Sequence, residues 1–314
     1  VKLPPEFASR AASVATVAIS ALPEAGPLKQ ANVLSLAETV QVLPQLAGPL
    51  HDTQFARLQL VAAPRVALAA KALGSPTLTL RLWGVKDCAR LLDKAHSLPH
   101  SRGAAGSEAA VEELAELFMA HTLPQLLLGD LAHEEVLQRA SPIFAALLHA
   151  GQLHQPTLKL LWSACSTKSA TVASVASALL SEVLISRRCP EALQESLLAS
   201  ISAVVGSSGT SDGLARLLGT LSPIFRPLPA MADKFVLLLW EVLALPQAPR
   251  SAHEALQAAL VEHYRGGSTE MLQQGLRLAA LPLLALCGRE GASNRVKPSD
   301  APEATTPPTF GAAG

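Results

Sequence analysis

Apolar residues recur at three- and four-residue intervals along almost the whole chain. Short turn signals break the pattern, and no segment sustains the two-residue alternation of a half-buried strand. This periodicity is the strongest constraint on the fold, because a 3.6-residue repeat places an apolar stripe on one side of a helix and nowhere useful on a strand. Composition agrees with it. Of the 314 residues 49% are hydrophobic, supplied mostly by alanine and leucine, while aromatic residues make up 4%. Alanine and leucine are strong helix formers. The expectation is an all-α protein with helices near 8–21, 30–46, 52–72, 77–96, 107–121, 132–150, 155–166, 169–186, 190–205, 212–225, 230–245, 251–265 and 269–287.

Boundary residues support these spans. Ser141-Pro142 reads as a helix start with proline in the first turn. Ser251 and Glu254 have capping-box spacing. Gly151, Gly206 and Gly288 each follow an apolar run, where a left-handed residue closes a helix. "HSRGAAGSE" (100–108) reads as a loop. The segment 291–314 is rich in Pro, Ser, Thr and Ala and carries too little apolar surface to offset its ordering entropy, so a disordered C-terminal tail is expected there.

The three tryptophans, Trp83, Trp162 and Trp240, lie 79 and 78 residues apart. Half that spacing is about 39, near the unit of HEAT and armadillo arrays. Around two of them the pattern repeats. Leu158, Leu161, Trp162 and Cys165 form one stripe, and Val236, Leu239, Trp240 and Leu243 form another at the same spacing. Each is followed by a second amphipathic stripe, at Val172, Val175, Ala176, Leu179 and Leu180, and at Ala252, Ala255, Leu256, Ala259 and Leu260. Trp83 fits less well, with Thr79 and Lys86 at matching positions. A single hairpin cannot bury its apolar face alone, so stacked hairpins forming an armadillo/HEAT-like α-solenoid over 1–290 are expected.

The charge balance argues against several functions. Lys+Arg and Asp+Glu number 25 each, and no basic block stands out, so no nucleic-acid partner is expected. No run approaches the roughly 20 apolar residues a membrane span needs. The start "VKLPPEFASR" lacks an initiator methionine and a leader pattern, so the chain reads as a piece of a longer protein. Cys88, Cys165, Cys189 and Cys287 are far apart and read as reduced thiols of a cytoplasmic protein.

Catalytic patterns are weak. "GTSDG" (209–213) matches G-x-S-x-G with Ser211 as nucleophile, but the strand that elbow requires does not precede it, and no Gly-Lys-Ser/Thr ending makes it a phosphate loop. "HEEVL" (133–137) and "HEALQ" (253–257) lack the second histidine of a zinc-metalloprotease helix, and Pro99 separates His96 from His100. Glu112, Glu113 and Glu116 read as solvated residues near a helix start. Cys165 shares a stripe with Trp162 and reads as packed. Cys189, after Arg187 and Arg188, reads as the exposed thiol. No catalytic residue, cofactor, metal or small-molecule ligand is assigned.

The run 112–183, beginning "EELAELFMAHTLPQLLL" and ending "KLLWSACSTKSATVASVASALLSEV", resembles a helical region of the giant ubiquitin-specific proteases of the fat facets type. "LTLRLWGVKDCARLLDKA" (78–95) and "ADKFVLLLWEVLALPQAPRSAHEALQAALVEHY" (232–264) continue the resemblance in the same order. Those enzymes are cysteine proteases that cleave the isopeptide bond at the ubiquitin C-terminus. Their Cys box and His box lie C-terminal to an armadillo-like region. Neither box occurs here, and this chain is richer in alanine and serine, with a Gly/Ser segment at 206–213. The resemblance therefore implies a non-catalytic scaffold segment of such a deubiquitinase, cytoplasmic, with ubiquitinated substrates or regulators as protein partners. The alternative is a free-standing HEAT/armadillo-like adaptor without ubiquitin chemistry. A hydrolase using Ser211 or Cys189 is a third class.

Overall fold

The computed structural model describes residues 4–22, 29–46, 54–98, 105–205, 218, 229–243, 252, 254 and 255. Among these the chain is helical, with no strand. The expected helices at 212–225, 251–265 and 269–287, the capping box at Ser251, the glycines 206 and 288, and the tail at 291–314 lie outside the described residues, apart from isolated positions.

The helices are α1 (Pro5–Ser20), α2 (Gln30–Leu46), α3 (Gln54–Leu73), α4 (Leu78–His96), α5 (Ala105–Ala120), α6 (Leu123–Leu128), α7 (Glu134–Gln138), α8 (Ser141–His149), α9 (Gln155–Thr167), α10 (Ala170–Ile185), α11 (Glu191–Val205) and α12 (Pro229–Leu243). Most spans agree with the apolar period to within a few residues. The stretch expected as one helix at 132–150 is the exception. It divides into α7 and α8 around Arg139 and Ala140. Pro142 has no N–H to bond back to Gln138, and this ends the first helix and starts the second. A further short helix, α6, follows Thr122, whose φ of 52° turns the chain sharply after α5. Gly129 closes α6. A Cβ there would stand 2.6 Å from the Gln125 carbonyl oxygen, so only glycine fits the turn.

Two apolar cores share α3. One face of α3 sends Leu60, Val61, Ala67, Leu68 and Ala72 into a core with α1 and α2, where Val33 and Ile19 are buried. The opposite face sends Ala62, Val66, Ala69 and Leu73 into the larger core, which continues through α4, α5 and α8 to α12. The most extensive helix–helix contact is α3 against α4. It is close because Gly84 faces α3: a Cβ there would lie 2.8 Å from the Ala69 carbonyl oxygen. Further along, α9 packs on α10, and α11 on α12. The outer face of α1, away from the core, exposes Phe7, Val14 and Val17.

Tryptophan stripes behave as packing elements. Leu158, Leu161 and Trp162 are buried in the larger core, with Trp162 6% exposed, and Cys165 is half-buried beside them. Val236 and Leu239 are buried, and Trp240 and Leu243 pack against the same core. Trp83, partly buried, packs against the other core.

One ion pair lies inside this framework. Arg65 of α3 donates to Asp87 of α4 through Nε at 2.9 Å and through Nη2, a two-pronged contact. Its remaining Nη1 donates to the Gln41 side-chain oxygen of α2. The Asp87 side chain is 1% exposed and that of Arg65 11%. Among the described residues, no helix is long and apolar enough to cross a membrane.

Two outcomes are expected. Trp162→Ala should lower unfolding free energy in urea by about 3–5 kcal/mol, the range for a large buried ring; an unchanged midpoint would contradict its place in the core. Asp87→Ala should cost about 3–5 kcal/mol by stranding the Arg65 guanidinium, while Arg65→Met combined with Asp87→Leu should recover most of that loss. A double variant as unstable as the single one would show that the pair does more than compensate its own burial.

Candidate binding groove

The groove lies between two helices of unequal length. At 1.5 Å per residue the nine-residue α8 is about 13 Å long and the sixteen-residue α10 about 24 Å. The outward side of α8 carries the small residues Pro142 and Ala145. Between the two helices and the C-terminal end of α4 lies a hollow of about 340 Å³. Its floor is apolar: Phe144 and Leu148 from α8, and Leu179 and Val183 from α10, all buried. Its rim is polar: His96, Ser141, His149, Glu182, Ser186 and Arg188.

Each rim group is placed by its helix. The Ser141 hydroxyl lies 2.8 and 2.9 Å from the two carboxylate oxygens of Glu182. Because Ser141 opens α8, that carboxylate stands where free N–H groups and the helix dipole favour negative charge. His149 occupies the last turn of α8, and His96 the last turn of α4, where a cation eases the carbonyl end of a helix. The end of α8 is held by Gly151, whose φ of 65° lets its N–H reach the Leu148 carbonyl at 3.2 Å while the Gln152 N–H reaches that of Leu147 at 2.8 Å. Gly151 thus does what its place after an apolar run implied. Arg188 follows α10 and is exposed.

Other hollows are more open or less apolar. One between α2, α3 and α4 is lined by Gln41, Arg57, Lys94 and Leu98. Another, between α1 and α3, is lined by Ser9, Thr16, Gln59 and Leu60.

The described cysteines are covered by the core. Cys165 donates its S–H to the Leu161 carbonyl at 3.2 Å, and burial pushes its thiol up to about 11 against the opposing effect of Ser177. Cys189 corrects the expectation of an exposed thiol. The turn after α10 folds back, with the Cys189 N–H on the Ser186 carbonyl at 2.9 Å, and carries the side chain into the main core while Arg187 and Arg188 stay outside. Burial lifts this thiol too, to about 11. Cys88 is wholly buried, and its thiol is pushed well above the ordinary range, by burial first and by neighbouring Asp87 second. A nucleophilic thiolate needs the opposite setting, electropositive and accessible.

Among the described residues, no group of three His, Cys, Asp or Glu side chains converges as metal ligands would. His133 of "HEEVL" caps α7, its Nδ1 accepting the Glu135 N–H at 3.3 Å. His100, Ser211 and His253 lie outside the described residues. Glu112 and Glu116 face solvent, while half-buried Glu113 accepts from Gln59 Nε2 at 2.8 Å. The acid in the first turn of α5 is Glu108, since the helix begins earlier than its apolar period indicated.

This arrangement can present surface to another molecule, and it sets a clear expectation for the thiols. At pH 7.5 an exposed-thiol reagent should label Cys88, Cys165 and Cys189 slowly in the folded chain and rapidly in urea, read by peptide mass spectrometry. Fast native labelling of Cys189 would contradict its burial. Comparison with protein-family models, with curated proteins and with solved structures finds no match to this chain.

Proposed function

We propose that this chain is a non-catalytic, partner-binding scaffold whose helices stack as an armadillo/HEAT-like solenoid. The observation that carries the reading is α3, buried on opposite faces between two apolar cores. Layered burial of this kind is how stacked repeats stabilise one another. The burial of Cys88, Cys165 and Cys189, each with its thiol raised by it, supports a binding role over thiol chemistry at these positions. The order of the segments 78–95, 112–183 and 232–264 supports placing the scaffold within a giant ubiquitin-specific protease, where it would hold ubiquitinated substrates or regulators near a protease domain in the cytoplasm. A free-standing adaptor is the second reading, favoured by the same layered burial without the resemblance.

Two measurements test this. Small-angle scattering of the chain should give a radius of gyration well above the roughly 20 Å of a compact domain of this length; a value near that figure would remove the solenoid. Incubation with a ubiquitin–fluorophore amide should release no fluorophore above buffer, and release would overturn the non-catalytic reading. Cys-box and His-box sequences in the parent reading frame would separate the protease scaffold from the adaptor.

A further inference from the structure

We draw no further inference here: the strongest candidate, the outward apolar stripe of α1 at Phe7, Val14 and Val17, is an unpartnered helix face, and nothing in the structure shows what covers it.

Discussion

α3 has no solvent side wide enough to release it. Leu60, Leu68 and Ala72 face α1 and α2, while Ala62, Val66, Ala69 and Leu73 face α4 and the larger core. A helix buried on two faces needs small residues to let both neighbours come near, and this one is rich in alanine. It also tolerates Pro64, which cannot return an N–H to Leu60, because packing on both sides outweighs one missing hydrogen bond. Gly84 on α4 completes the close approach from the larger core. Where α3 and α4 lie decides where α5 lies, and through it α8.

The Arg65–Asp87 pair sits in that same interface. A buried ion pair is a weak source of net stability, since desolvating two charges offsets much of their attraction. Its geometry is directional, however. Two hydrogen bonds to Asp87 and a third to Gln41 tie α2, α3 and α4 at one height along their axes. Apolar faces made mostly of alanine and leucine slide easily past one another. A polar tie that is satisfied in only one register restricts that freedom.

The groove lies beside a local break. Pro142 divides the apolar period from 132 to 150 into α7 and α8, and both pack on α10. The break makes α8 short, puts Ser141 at its first position, and lets Glu182 settle there. Pro142 and Ala145 line the hollow beside this break.

Much of this was legible along the chain. The helical period located most of the helices, Gly151 and Pro142 marked real boundaries, and the stripe of Leu158, Leu161 and Trp162 identified buried positions, because local propensity and apolar spacing act over a few residues. The groove was not legible. His96, His149, Glu182 and Arg188 come from three segments up to 92 residues apart, and no local signal joins them. Cys189 misled for the same reason. Two exposed arginines precede it, yet the turn after α10 carries its side chain inward, and only the packing of α10 against its neighbours sets that direction. Sequence by itself determined that the described residues are helical and where most of their helices lie. Tertiary structure alone decided which faces became core, which thiols were sealed, and where an apolar floor met a polar rim, since each depends on contacts between residues distant in the chain.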